Sequence, residues 1–166
     1  IPISWTPFGE LFSGLFMGMI IILLAFFIQT GNVNGFVVWI SLPIVITIGL
    51  INMANNIRDR VKDRASGRKT LPILLGKKAS ITFMAAMYIL AYLIVIFTAL
   101  FKSGGSLFYL LVLFSFPMPI KAIRRFNKND TPASMMPAMA ATGKTNTVFG
   151  ILYALGIYIS ALLGGI

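Results

Sequence analysis

The chain has no cysteine and no histidine, and only four of its 166 residues are acidic. Disulfides, thiolate or imidazole metal ligands and histidine acid–base chemistry are therefore excluded within this sequence. Charged residues make up 11% of the chain, whereas hydrophobic residues make up 58%. A water-soluble domain of this size could not bury so much apolar surface. The composition therefore indicates an integral membrane protein.

The long apolar runs predict an all-α, polytopic transmembrane helical bundle. Each run approaches the ~20 residues that a helix needs to cross a bilayer. None shows the two-residue alternation of a transmembrane barrel strand, which argues against a β-barrel. Helices are the other structure that satisfies all backbone hydrogen bonds in lipid. Five spans are predicted, at roughly 10–29, 36–58, 79–101, 106–124 and 146–165. Pro117 and Pro119 are expected to kink the fourth.

The basic residues give the chain a net charge of +10 and predict its orientation. Eight lysines and arginines lie within 58–78 and five within 121–144, whereas the connections at 30–35 and 102–105 hold one lysine between them. With five spans, the basic connections 58–78 and 121–145 fall on one side of the membrane. The positive-inside rule makes that side cytoplasmic. We expect contact with membrane lipid and no nucleic-acid partner.

Two of the four acidic residues follow the second apolar run, in the series Asn55, Asp59 and Asp63. Four residues advance a helix by about 400°, so these side chains share one side and stand ~6 Å apart along the axis. Their oxygens suit Mg²⁺ when a diphosphate completes its coordination. The neighbouring cations that could contact the same anion are Arg58, Arg64, Arg68 and Lys69.

A second interpretation of this segment is a polybasic collar that fixes topology and contacts anionic lipid. A collar does not need acids at a four-residue period, but the spacing alone leaves both interpretations open. Gly67 is expected to end the helix, and Pro72 is expected to prevent it from restarting at once.

The string over residues 55–76, which contains NNIRD, DR, GRKTLP and LG in order, resembles the second aspartate-rich motif of the UbiA superfamily of membrane prenyltransferases. Its amino-acid sequence is most similar to that of the bacterial menaquinone-forming branch, and so are the sequences of residues 2–10 and 143–156. Members have about nine spans and one aspartate-rich motif in each half, and this chain matches the second half only. The resemblance implies that residues 1–166 are a single membrane domain within a longer protein and are inactive alone.

The resemblance also implies an enzyme that transfers a polyprenyl group from an allylic diphosphate to 1,4-dihydroxy-2-naphthoate, with Mg²⁺, at the bacterial cytoplasmic membrane. Asn55, Asp59 and Asp63 would then hold the metal and the diphosphate, with Asp59 and Asp63 as the catalytic pair. The cations implied to bind diphosphate or the carboxylate of the acceptor are Arg58, Arg64, Arg68 and Lys69.

Three alternatives to this function stay open. The aromatic acceptor could be 4-hydroxybenzoate, homogentisate, haem or a chlorophyll precursor. The chain could instead be a transporter or anion-binding protein, or a regulatory subunit with a lipid-binding basic face. Acids at a helix end rather than at mid-membrane argue against ion-coupled transport.

Three further features have weaker expectations. Glu10 opens the first span, where a carboxylate favours a helix N-terminus; this role is preferred over a place in the acceptor pocket. Residues 127–145 are expected to form a surface helix or a flexible lid in the second connection. Gly14 and Gly18 are expected to let helices pack closely.

Overall fold

The computed structural model describes residues 2–163, and this part of the chain is helical with no strand. A 3₁₀ turn, Ile3–Trp5, comes first. The α-helices are α1 (Gly9–Gly14), α2 (Ile21–Thr30), α3 (Gly35–Ala65), α4 (Leu71–Leu75), α5 (Lys77–Phe101), α6 (Pro117–Lys128) and α7 (Pro132–Leu162). A π-helical segment, Leu15–Ile20, joins α1 to α2, and a 3₁₀ segment, Leu107–Ser115, precedes α6.

Five helical stretches are long and apolar enough to cross a membrane, which confirms the all-α five-span prediction. They are Gly9–Thr30, Gly35–Ala65, Lys77–Phe101, Leu107–Lys128 and Pro132–Leu162. The chain is therefore an integral membrane protein. The fifth span begins fourteen residues before the predicted start at residue 146, and positions 164–165 of that prediction lie outside the described residues.

The second basic connection, expected over 121–145, is helical almost throughout. Only residues 129–131 separate α6 from α7. Thr131 and Ser134 form a capping box at the start of α7, and Pro132 occupies its first turn, where a missing N–H is tolerated. The expectation of a surface helix or lid at 127–145 is wrong, because its methionines and alanines are strong helix formers that continue into the span.

The first basic connection, expected over 58–78, is also shorter than its charge suggested. Helix α3 continues to Ala65 and ends in a Schellman motif: the Gly67 N–H donates to the Arg64 carbonyl, and the Arg68 N–H donates to the Asp63 carbonyl, both at 3.1 Å. Gly67 has φ +84°, which confirms its helix-ending role. The expectation for Pro72 is wrong, since it lies in the first turn of α4.

Glycines let α1 and the π-helical segment pack directly on α3. A Cβ on Gly14 would lie 2.3 Å from the Val45 carbonyl oxygen, and one on Gly18 would lie 3.0 Å from the Val45 Cα. A Cβ on Gly49 of α3 would lie 2.8 Å from the Glu10 carbonyl oxygen. The close approach expected for Gly14 and Gly18 is confirmed, and it sets how α1 crosses α3.

Two buried clusters lie at opposite ends of the bundle. The cluster at the end that carries the basic segments includes Met53, Ile57, Met84 and Phe126. The cluster at the other end is richer in aromatic side chains. We call these the basic end and the aromatic end.

Candidate active site

A polar stripe runs along the last four turns of α3. It consists of Asn52, Asn55, Asn56, Asp59 and Asp63. At 100° per residue, the five positions fall within an arc of about 100°. The three residues singled out from the sequence therefore share a side of α3, as their spacing requires, and Asn52 and Asn56 extend the same stripe.

Each aspartate of the stripe is paired with an arginine. Arg58 Nε donates to Asp59 Oδ1 at 2.8 Å, and its Nη2 pairs with Asp59 Oδ2. Arg68 Nη1 lies 3.3 Å from Asp63 Oδ2. The Asp59 side chain is 31% exposed and that of Asp63 is 11% exposed. Two carboxylates and two cations therefore converge at the basic end, with Asp59 the more accessible.

Arg58 also connects the stripe to α7, because its Nη1 donates to Met139 Sδ at 2.9 Å. Its guanidinium therefore lies between the acidic side of α3 and the first turns of α7. The segment for which a surface helix or a flexible lid was expected therefore lies beside the candidate site as part of a membrane-spanning helix.

The other two predicted cations lie apart from the carboxylates. Among residues 2–163, the acids form ion pairs with Arg58, Arg68 and Lys77 only. Arg64 is exposed and falls about 100° around α3 from Asp63. Lys69 is exposed, and its backbone N–H donates to the Trp5 carbonyl at 2.8 Å.

Glu10 lies in the first turn of α1, at the helix N-terminus that its sequence context predicted. Its side chain also contacts α3, and the residue is only 8% exposed. Its Oε1 accepts a 2.8 Å hydrogen bond from Asn56 Nδ2. Glu10 therefore adds a third carboxyl group beside the polar stripe. The sequence signal for this contact was an acidic residue at the start of an apolar span together with an asparagine-rich run later in the chain.

The oxygens of the stripe are chemically suited to Mg²⁺. Carboxylates and amide carbonyls are hard donors, and Asn55, Asp59 and Asp63 present them at successive turns of one helix. Within residues 2–163, no group of three acidic side chains is close enough to hold a metal on its own. A metal here would need further oxygens from water or a substrate phosphate, which is how Mg²⁺ is commonly bound.

Comparisons with known proteins agree with these features. The model of the UbiA prenyltransferase family matches residues 4–148. The chain is 46% identical over 161 residues to the 1,4-dihydroxy-2-naphthoate octaprenyltransferase of Bacillus subtilis, covering 96% of this chain and 51% of that protein. It is 32% identical to the UbiA prenyltransferase domain-containing protein 1 homolog of Drosophila melanogaster, over 92% of this chain and 41% of that protein.

A more distant relative is the 1,4-dihydroxy-2-naphthoate octaprenyltransferase of Escherichia coli, 23% identical over 96% of this chain and 51% of its own length. No solved structure matches the chain. The chain spans about half the length of the curated relatives it matches. The family predicted from the aspartate-rich string is confirmed: the chain belongs to the UbiA prenyltransferase family.

Proposed function

We propose that the chain forms part of a Mg²⁺-dependent prenyltransferase that moves a polyprenyl group from an allylic diphosphate to 1,4-dihydroxy-2-naphthoate in menaquinone biosynthesis. Family membership supports prenyl transfer, and the naphthoate acceptor is supported by the names of the Bacillus and Escherichia relatives. The observation that carries the proposal is the pairing of Asp59 with Arg58 and of Asp63 with Arg68 at the end of a membrane-spanning helix.

In this proposal Asp59 and Asp63, assisted by the Asn55 carbonyl oxygen, hold Mg²⁺ and through it the diphosphate. When bound, the ion would neutralise charge on the departing diphosphate. Arg58 and Arg68 hold the carboxylates in place before substrate arrives. Because a guanidinium binds phosphate oxygens as well as carboxylate oxygens, both arginines can turn to the diphosphate without leaving the site.

Arg64 and Lys69 are proposed to contact the diphosphate or the carboxylate of the acceptor from the exposed segment that follows α3. Both side chains are exposed, so they are free to move toward an anion bound at the stripe. Their role is electrostatic attraction rather than fixed positioning, since the described residues provide them with no ion-pair partner.

The reaction proposed for this site exchanges one bond for another at C1 of the prenyl group. The bond from C1 to the diphosphate oxygen breaks, and the electron-rich ring carbon of the acceptor bonds to C1. With the naphthoate acceptor, the ring carboxylate leaves as carbon dioxide. The cations at the basic end stabilise the negative charge that develops on the leaving diphosphate.

We further propose that residues 1–166 are the second half of a nine-span protein, with the basic end at the cytoplasmic face of a bacterial membrane. Thirteen of the fourteen lysines and arginines lie in 58–78 or 121–144, at the basic end, and Lys102 lies at the other. Such an asymmetry is typical of cytoplasmic termini of membrane helices.

The direct test is Asp59→Ala in the protein expressed at full length from its gene. Incorporation of labelled prenyl groups into the naphthoate should fall by about 100-fold, the scale expected when a group that stabilises transition-state charge is removed. The matched control is Asp130→Ala, the same substitution at an exposed acid outside the stripe, and it should leave incorporation unchanged. Unchanged incorporation by a correctly inserted Asp59→Ala protein would remove Asp59 from the site.

A further inference from the structure

One carboxyl oxygen of Glu10 has no hydrogen-bond partner within residues 2–163, although the residue is more than nine-tenths buried. Oε1 accepts a hydrogen bond from Asn56, and Oε2 is the oxygen without a partner. A buried polar atom without a hydrogen bond is costly, and more so in a membrane-spanning helix, where an ionisable side chain usually marks a functional position. The arrangement indicates that something other than these residues completes the bonding of Oε2.

Glu10 lines a cavity of about 310 Å³ between α1, α3, α4 and α5. Apart from Glu10, all of its described lining residues are apolar. The principal ones are Leu11, Leu50, Met53, Leu71, Phe83 and Met87. Leu11 and Phe83 are also exposed at the surface, so the cavity opens on the side of the bundle between α1 and α5.

This cavity adjoins the polar stripe through Asn56. Its amide donates to Glu10, and Asp59 follows three residues later on the same side of α3. The residue that contacts Glu10 is therefore within one helical turn of the aspartate proposed to hold the diphosphate.

We propose that Glu10 and this cavity bind the hydroxyl-bearing aromatic ring of the prenyl acceptor, with the ring hydroxyl hydrogen-bonded to Glu10 Oε2. This inference rests on the proposed function and names the acceptor site for it. A hydroxyl fits because it can donate to a carboxylate or accept from a neutral carboxyl group.

The lining chemistry selects among possible occupants. A diphosphate would find no cation among the described lining residues, and a plain hydrocarbon would leave Oε2 without a partner. A flat aromatic ring fills apolar space of this kind, and the volume is at the low end of the range for small-molecule sites, about 300–1,000 Å³. The combination favours an apolar ring that carries one hydroxyl at the Glu10 edge.

The first test measures binding without any prenyl donor, in the full-length protein embedded in nanodiscs. Labelled 1-naphthol and its shape-matched analogue 1-methylnaphthalene are compared, with empty nanodiscs subtracted to remove lipid partitioning. The native protein should bind naphthol about tenfold more tightly, as expected for one hydrogen bond to a buried polar group. Glu10→Leu should reduce this preference to about one. Equal binding of both compounds to the native protein, or an unchanged preference in Glu10→Leu, would overturn the proposal.

A second measurement needs no variant, so a folding defect cannot obscure it. A hydrophobic carbodiimide labels buried carboxyl groups, and mass spectrometry locates the modified residue. Naphthol should protect Glu10 from labelling at a roughly tenfold lower concentration than methylnaphthalene. The proposal is rejected if naphthol gives Glu10 no protection.

Steady-state kinetics separates this proposal from the proposed function. Glu10→Leu should raise the acceptor KM about tenfold and leave the KM for the prenyl diphosphate unchanged. Glu10→Gln retains a hydrogen-bonding group and should recover most of the acceptor affinity. If the native protein transfers no prenyl group but binds naphthol more tightly than methylnaphthalene, and Glu10→Leu removes that preference, the proposed function is rejected and the Glu10 binding site is supported. If transfer is normal and Glu10→Leu leaves the acceptor KM unchanged, the site fails and the function stands.

Discussion

The basic and aromatic ends of the bundle are stabilised by different interactions. The three ion pairs within residues 2–163 all lie at the basic end, and the free Glu10 oxygen and its cavity lie there as well. At the aromatic end, rings pack edge to face: the Tyr92 and Phe149 centroids are 5.3 Å apart, and those of Tyr109 and Tyr153 are 6.0 Å apart. One end is held by packing, while the other keeps charged groups accessible to a ligand.

This contrast has a physical reason. Close packing of aromatic rings provides stability without charge, as a hydrocarbon environment requires. Carboxylates and guanidinium groups need water, each other or a ligand, so they are concentrated at the end of the helices. The aromatic end can therefore anchor the fold, while the charged groups of the basic end stay available to a ligand.

The largest expected effect concerns completeness of the basic end. Residues 1–166 expressed alone should show no detectable prenyl transfer. The described residues bring no three acidic side chains together, so the Mg²⁺ of the proposed mechanism would need further oxygens. Labelled prenyl incorporation would be measured beside the full-length protein. Circular dichroism and membrane extraction provide the control, since the isolated chain should remain helical and inserted. Normal turnover by the isolated chain would show that its basic end is already a complete active site.

The second prediction tests whether the aromatic end anchors the fold. Phe149→Ala should destabilise the protein by about 3 kcal/mol, at the low end of the range for Phe→Ala because lipid also solvates apolar groups. Phe149 is fully buried, and Phe114, which is 77% exposed, provides the matched control. The midpoint of unfolding in denaturing detergent is the measurement. Equal effects of Phe149→Ala and Phe114→Ala would show that the aromatic end does not anchor the bundle.

The third prediction concerns the contact that positions Glu10. Gly14→Ala should destabilise the packing of α1 on α3 by about 1–3 kcal/mol, since the new Cβ would meet backbone 2.3 Å away. Gly143→Ala is the control: it has no atom within 4 Å of the added Cβ, and alanine is the better helix former there. Unfolding midpoints of both variants give the comparison. A stabilising Gly14→Ala would mean that α1 can shift freely.

The smallest effect is expected at an ion pair away from the stripe. Lys77 Nζ lies 2.5 Å from Asp130 Oδ1, and its hydrogen bond and charge hold the pKa of Asp130 below the ordinary value. A lowered carboxyl pKa stabilises the fold above the unfolded pKa, about 3.9, and this contribution is lost as pH falls through the folded pKa. The thermal midpoints of the native protein and Asp130→Asn should therefore differ slightly at pH 5–7 and converge below about pH 4. A difference that grows on acidification would contradict the assignment.

Sequence patterns predicted the parts of this fold that depend on local chemistry. Apolar runs identified five membrane-spanning helices, and the four-residue period placed Asn55, Asp59 and Asp63 on one side of α3. The start of α7 at Pro132 was not predicted. Its first turns are rich in methionine and alanine, which are less apolar than the residues that identified the other membrane-spanning helices. A capping box at Thr131 was the overlooked local signal.

The Glu10 position illustrates what local patterns cannot decide. Glu10 and Asn56 are 46 residues apart, and their hydrogen bond depends on the crossing of α1 over α3 at Gly14 and Gly49. Likewise, only two of the four predicted cations, Arg58 and Arg68, reach an aspartate. Periodicity gives the direction of a side chain from its own helix but not the helix that it meets.

The amino-acid sequence by itself determined that this protein is a helical membrane bundle, which of its ends carries the charge, and which side of α3 carries the aspartates. These properties follow from transfer of apolar groups into lipid and from the geometry of a single helix. Tertiary structure alone decided that Glu10 turns inward, that Arg58 reaches α7 and that an apolar cavity opens beside the stripe. These features depend on distances between separate helices, which close packing at glycines sets.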